Sequence, residues 1–589
     1  ETKLRSNPES RPSLDYKNQR PLHLKPVTLK PLLLASAFLI SFLPGQASIS
    51  GNITSKYADS ANDFNFSEHL LEGRINMGQW SGWTQLEFSD PPELGVNYSG
   101  LRKLRLEYFR DKVSLEIGDV YTIWGRGLLL NQIDDQAIDL DTGVRGLHVN
   151  YMHDIFNLNI LAGKLNTWKS STMVDDFSDR IPNYETDHFL SGANLETERF
   201  GPRLGLSYLE SREDHYIPYD RSGNPVNLDL RHRYAGTYAE YSHDLFDAFV
   251  EAVYRSSTDM GPSTYLSDGK GVYAGIGTYL GEWSAVIDYK NYDFKRLPPD
   301  KNFDFVNNYD ISMDFQRPPT GVYEHTSRLI GRIIHELDPN DEVGTQIYIT
   351  GPVKDWFNLS LNHSRASRHD ILSMNEDFKW NPQTDNQFLS SGEPFSDNFT
   401  DTFVQIEGAL FNDKLQYKLG MDQLEDVLSI ITNYSIPGFT TKSYEYVSAQ
   451  TFPLDLNLHL PSRFSLQIKT EYQAIKKGYM NDFGEGLEFR SLYPVDTKYN
   501  TIVSIGLARS PKWSVAFTLD RTSQEWDKEN WVWEPKEWRS IEILYNLNES
   551  ARLSVMSGSQ QGGLLCSNGV CRYVQDFDDG YKVNVSWVF

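Results

Sequence analysis

Along most of this chain apolar residues return at every second position. Leu104, Leu106 and Tyr108 alternate with Lys103, Arg105 and Glu107. A short Arg110-Asp111-Lys112 turn follows, and Val113, Leu115 and Ile117 then alternate with Ser114 and Glu116. Residues 144–151 and 156–163 repeat the arrangement around His153-Asp154-Ile155. Further runs include Phe464/Leu466/Ile468, Val503/Ile505/Leu507, Trp513/Val515/Phe517/Leu519 and Ile541/Ile543/Tyr545. A period of two predicts strands with one apolar and one polar face. The final stretch has the same form: Tyr581, Val583, Val585, Trp587 and Phe589 share one face, opposite Lys582, Asn584 and Ser586. It is long enough to cross a bilayer with a tilt.

The connections alternate in length. Phe411–Lys414, Arg509–Lys512 and Asn546–Ser550 read as tight turns. Long polar loops are expected near 165–189, 212–230, 367–399, 474–497 and 521–536. Short turns at one end and long loops at the other describe a transmembrane barrel. The fold expected is therefore all-β, a large transmembrane antiparallel β-barrel of roughly 22–26 strands, even in number. The alternation breaks between about 293 and 355, which predicts an overlooked strand near 304–324. Trp80, Trp83, Trp283, Trp356, Trp513, Trp538 and Trp587 fall near strand ends, as interfacial girdles would place them.

Composition sharpens this picture. Aromatics make up 13% of the 589 residues while hydrophobic residues total only 39%, as expected where half of each strand faces a polar interior. The formal net charge of -24 speaks against nucleic acid as a partner. The first 47 residues differ from the rest. The apolar run Leu32–Leu43 follows Lys25 and Lys30 and precedes Pro44-Gly45-Gln46-Ala47, which predicts a cleaved signal peptide over 1–47 and a barrel over 48–589. A TonB-dependent transporter would carry a plug domain ahead of its strands; here strand signals start by about residue 70. The expected location is the outer membrane of a Gram-negative bacterium. Its lipid and the barrel-assembly machinery are the expected partners, with the aromatic-ended last strand as assembly signal, and a secretion or surface complex is a further candidate partner.

The densest chemistry lies in Gly118–Gly146. Gly125-Arg126-Gly127 permits a kink or a close backbone approach. Asp134, Asp135, Asp139 and Asp141 with Arg126 and Arg145 form a charged set. It reads either as a loop folded into the lumen, narrowing a pore or holding a cation, or as a solvated acidic loop braced by two arginines. The spacing does not match an EF-hand. Lys103, Arg105 and Glu107 are further lumen candidates. Cys566 and Cys571 flank Ser567-Asn568-Gly569-Val570. Asn-Gly is the strongest two-residue hairpin signal, so Ser567 and Val570 close the turn and Cys566 faces Cys571. In an exported chain this predicts a disulfide. No metal site, cofactor or catalytic group is expected. His363-Ser364, Ser367 and His369 supply the right residue types, but nothing marks them as a triad.

Two stretches resemble a family of Bacteroidota-type outer-membrane barrels known only as a domain of unknown function. One is Gly118-Asp119-x-Tyr121, Gly125-Arg126-Gly127-Leu128, Asp141 and Arg145-Gly146. The other is Gly562-Gly563-Leu564-x-Cys566 through Gly569-Val570-Cys571-Arg572-Tyr573-Val574, Phe577 and Phe589. The resemblance implies fold and location and supplies no substrate. The function expected is a channel or porin-like transporter of small solutes with an acidic, cation-favouring lumen. The alternative is a structural or adaptor barrel of a secretion or assembly complex, with a filled lumen. Neither reading is that of an enzyme.

Overall fold

The computed structural model describes residues 47–169, 178, 180–217, 226–260, 264–294, 315–335, 337–338, 340–374, 380–384, 387–393, 396–436, 439–482, 487–527, 530–567 and 570–589. Residues 1–46, nearly all of the expected leader, lie outside them. Twenty-four antiparallel strands follow one another around a closed ring, from Ala47–Asp59 to Phe577–Val588. The ring closes where Asn52 pairs with Val588 and Asp59 with Tyr581. Closure leaves the sheet no unpaired edge, which backbone in hydrocarbon requires. Among the described residues no helix is long and apolar enough to cross a membrane.

Side chains sort by the period of two. In the strand Phe464–Asp482, Tyr472 is 43% exposed between Glu471 at 8% and Gln473 at 1%. The exposed face is apolar and the buried face polar, the reverse of a soluble sandwich and the order a lipid-immersed barrel demands. Leu104, Leu106 and Ile117 stand outward in the same way. Tyr581, Val585, Trp587 and Phe589 of the last strand are exposed and Val583 is half-buried, while Lys582 turns inward over the Phe577 ring at 4.7 Å.

Both chain ends of the ring and the expected tight turns at 411–414 and 510–512 lie at one end of the barrel. The longer connections lie at the other end. Several expected loops are instead continued strand. Residues 212–217 pair with 226–231, and Thr522 to Asp527 pair back to Lys536 and Val532. The hairpin Leu415–Ile436 with Phe439–Leu460 has 22 residues per arm, about twice what a bilayer crossing needs. These ladders are self-supporting beyond the lipid, so polar sequence there does not imply loop.

Two expectations are corrected. No strand lies in the described part of 304–324; residues 315–335 run inside the barrel with one 3₁₀ turn at Ile330–Arg332, which restores the alternation of turns. Trp538 is 1% exposed and faces inward beneath Lys536, whose ammonium sits 4.8 Å from its ring. It belongs to no girdle.

Candidate functional site

Among the described residues, the lumen holds connections that enter from the end opposite the tight turns, and three of them make the site. The first, residues 121–143, folds as two miniature hairpins, Ile123–Trp124 with Leu130–Asn131 and Asp134–Asp135 with Leu140–Asp141. Its Trp124, Leu128, Leu129 and Leu130 pack against inward Leu161, Leu190, Leu209 and Leu230 of the wall. The apolar cluster anchors this segment to one side, because inward leucines on neighbouring strands have no water to face there. Gly125 has φ +61°, and a Cβ on it would lie 2.6 Å from the Glu251 carboxylate. That carboxylate accepts the Arg126 N–H at 2.6 Å.

The second connection crosses the lumen. Gln316 donates to the Leu128 carbonyl at 2.5 Å and accepts from Tyr234 at 3.3 Å, on the tenth strand of the ring, Val226–His243. Residues 327–329 hang on the Glu471 carboxylate: Ser327 Oγ donates at 2.7 Å, Arg328 N–H at 3.0 Å and Leu329 N–H at 2.7 Å. Gln473 Nε2 donates to the Leu329 carbonyl at 2.8 Å. Arg332 then pairs with Asp520 at 2.5 Å, on the twenty-first strand, Trp513–Asp527. Strands ten and twenty-one face each other across a ring of twenty-four. The third connection, 561–576, reaches in beside both: Arg572 Nε donates to the Ile138 carbonyl at 3.3 Å, and the Gly563 position abuts the Arg332 side chain.

The acidic loop is thus folded into the lumen. Its braces differ from those expected. Lys103, 1% exposed, bridges Asp134 at 2.5 Å and Asp141 at 2.9 Å. Arg102 holds Asp139 at 3.0 Å and also pairs with Glu87. Arg126 instead reaches Glu240 at 3.2 Å and lies over the Phe249 ring, and Arg145 binds Asp119 at 3.0 Å and the Arg102 carbonyl at 2.9 Å. Arg105 pairs with Glu107 on its own strand at 2.6 Å and covers the Trp83 ring. Asp135 turns back to accept the Ala137 N–H at 3.0 Å. The acids are therefore largely neutralised by strand cations.

Protonation in the inserted segments follows from these contacts. Burial pushes the Asp139 carboxyl up, more than Arg102 pulls it down. Burial also acts to raise Asp141, but the Lys103 charge and hydrogen bonds from Lys103, the Gly143 N–H and Tyr121 Oη take it below its ordinary value. On the crossing segment, His335 lies between Asp426 at 3.1 Å and Glu342 at 3.5 Å and stacks on Phe399 at 4.1 Å. Burial alone would lower the imidazole; the two carboxylates outweigh it and push it up to about 10. Glu342 is paired as well with buried Lys290.

Arg102 was not expected inside. By strict alternation it shares the outward parity of Leu104. A β-bulge breaks that parity: Gln85 pairs with Lys103 but Leu86 with Leu101, so Arg102 is the extra residue and both cations turn inward. The register at the far hairpin agrees with the expected one, Ser567 opposite Val570 and Cys566 opposite Cys571. The Asn568-Gly569 turn and the cysteine side chains lie outside the described residues.

An apolar outer face, a polar inner face and a lumen threaded by three connections define a large transmembrane antiparallel β-barrel with an occupied interior. The chain belongs to DUF6029, a family of unknown function, whose profile matches residues 70–589. No curated protein sequence matches it. Similar solved structures are also barrels. The siderophore receptor PirA from Pseudomonas aeruginosa is 9% identical, with 92% of this chain and 80% of that one covered and a TM-score of 0.41. The copper transporter OprC is 10% identical over 92% and 80%, at 0.45. The FrpB iron transporter from Neisseria meningitidis is 9% identical over 94% and 83%, at 0.44. At these values none of them bears on this barrel's cargo or partners.

Proposed function

We propose that this protein is a gated outer-membrane channel for small solutes, closed at rest by its own inserted segments. The supporting observation is the way the crossing segment is held. Residues 327–335 hold the Glu471–Asp520 side of the wall through hydrogen bonds and ion pairs, with Val322 and Ile333 on a six-residue apolar cluster, whereas residues 124–130 are fixed by a larger, sixteen-residue apolar cluster that also takes in Phe315. The smaller apolar anchor, together with polar contacts that water can replace, makes residues 320–335 the movable part and the acidic segment the fixed constriction. A ring of twenty-four strands is wide enough for an aqueous path once that segment moves. The net charge of -24 would favour cations over anions in that path.

The same reading carries the remaining expectations: export by a leader over 1–47, assembly through the last strand, a Cys566–Cys571 bridge at a hairpin tip, and a Bacteroidota-type host. The filled lumen also suits an adaptor barrel of a surface or secretion complex, and one experiment separates the two. Proteoliposomes of the refolded full-length protein are tested for swelling with neutral solutes of increasing size. The channel reading expects slow, size-limited flux that rises several-fold in Arg332→Ala and Glu471→Gln, which release the crossing segment. Folded barrels that stay impermeable in all three forms would overturn it in favour of the adaptor.

A further inference from the structure

Several buried acids described above have a lysine or arginine partner: Lys103 for Asp134 and Asp141, Lys290 for Glu342, and Arg332 of the crossing segment for Asp520. One pair is different. Asp401 and Asp422 are 2% and 1% exposed. They project inward from the adjacent strands Phe399–Leu410 and Leu415–Ile436, whose register sets Phe403 opposite Asp422 and so makes the two acids diagonal neighbours. Among the described residues no lysine or arginine pairs with either. The group that meets both is His325, on the crossing segment: its Nε2 lies 3.6 Å from Asp401 Oδ2 and 3.9 Å from Asp422 Oδ1.

We propose that His325, Asp401 and Asp422 form a binding site for one divalent transition-metal ion of the zinc class, which clamps the crossing segment to the barrel wall. One donor atom from each residue lies within 4.8 Å of the others. In a tetrahedral site with bonds near 2.1 Å, donors stand about 3.4 Å apart, so small side-chain rotations complete the geometry. The second observation is independent of that spacing. His325 Nε2, Asp401 Oδ1 and Asp422 Oδ1 are all buried and have no hydrogen-bond partner. Two buried carboxylates and an imidazole gathered in one place are costly unless a cation, or a proton shared between the carboxylates, draws them together.

The surroundings are those of a ligand set held in position. Asn362 Nδ2 donates to Asp401 Oδ2 at 3.2 Å, an outer-shell contact that orients the carboxylate. The His325 ring meets Tyr323 and Phe403 edge to face at 4.8 and 4.6 Å, which fixes the direction of Nε2. His325 and Asp401 open onto a cavity of about 150 Å³, also lined by Thr320, Ile330 and His335, with room for a water as fourth ligand. One imidazole nitrogen with two carboxylates suits zinc and its neighbours; magnesium and calcium prefer six or more oxygens. This ion would bind whether or not the barrel conducts.

The test uses the refolded full-length barrel in detergent micelles, stripped with a chelator and titrated with Zn²⁺ alone by calorimetry. The expected result is one saturable Zn²⁺ per barrel, no competition by equal Mg²⁺, and an affinity about 100-fold or more weaker in each of His325→Gln, Asp401→Asn and Asp422→Asn. Each variant is first checked for the heat-modifiable mobility of a folded barrel. X-ray absorption of the zinc-loaded wild type covers the case in which a variant does not fold: a shell containing one imidazole and carboxylate oxygens is expected, and a shell of water alone overturns the proposal. No saturable zinc binding by the wild type also overturns it, leaving the two carboxylates to share a proton. Unchanged affinity in a folded Asp422→Asn barrel does so too.

Discussion

Lys103 carries two carboxylates on one ammonium, and its burial makes that arrangement fragile. Replacing it with Gln strands Asp134 and Asp141 together in the lumen. Removing one partner of a buried pair costs about 3 kcal/mol, so Lys103→Gln is expected to lower unfolding stability in urea by roughly that amount. The triple variant with Asp134→Asn and Asp141→Asn should recover most of it; equal losses in both would show that packing, not charge, holds the loop. Asp139 adds a steric constraint. Gly95 has φ +94°, and a Cβ there would sit 1.7 Å from Asp139 Oδ2. Gly95→Ala should therefore displace Asp139 from Arg102 and destabilise the folded barrel by about 1–3 kcal/mol. At this scale the period of two made Lys103, Arg105 and Glu107 legible as inward residues. It could not show Arg102, since one extra residue in a bulge reverses the parity and nothing local in the sequence marks it. The His325–Asp401–Asp422 cluster was invisible for another reason: its members are far apart along the chain, and only the sheet register and the crossing segment bring them together.

Among the elements, the last strand tests the assignment of faces. Val585 stands outward and pairs with Ser55 and Leu553. A carboxylate there faces lipid and costs up to about 2 kcal/mol, so Val585→Asp is expected to cut the amount of barrel recovered from membranes. Asn584→Asp, one residue along on the inner face, should assemble normally; the opposite ranking would reverse the faces. The crossing segment makes a pH prediction. His335 is raised to about 10 by Asp426 and Glu342, so its contribution to holding the segment is complete below the ordinary imidazole value of about 6.5 and is lost as pH rises through about 10. Hydrogen exchange in residues 328–335 should accelerate between pH 9 and 10.5 in the wild type beyond the normal chemical increase, and not in His335→Gln. An identical pH course in both would remove His335 from the latch. The strands themselves were legible, as were the tight turns. The ladders beyond the membrane were read as loops, because polar residues on both faces look like coil until their partners are known. Residues 315–324 were read as part of a hidden strand near 304–324, because a segment that fills a lumen needs neither strand nor helix periodicity.

For the whole molecule the number and direction of strands followed from alternation and turn parity, within the expected range and with the even count that a closed ring with both ends on one side requires. The occupied lumen did not follow. Strand number sets the width of a barrel, while its filling depends on long-range contacts such as Gln316 with Leu128, Arg332 with Asp520 and Arg572 with Ile138. In the proposed channel those contacts keep the inserted connections in the lumen, and release of the crossing segment opens it. Single-channel recording in a planar bilayer tests this most directly, comparing the wild type with a form in which residues 316–334 are replaced by a short Gly-Ser linker. The wild type should be mostly closed with brief openings, and the shortened form should conduct steadily, with a reversal potential that favours cations. A wild type that is steadily open, or a folded shortened form that stays silent, would contradict the account.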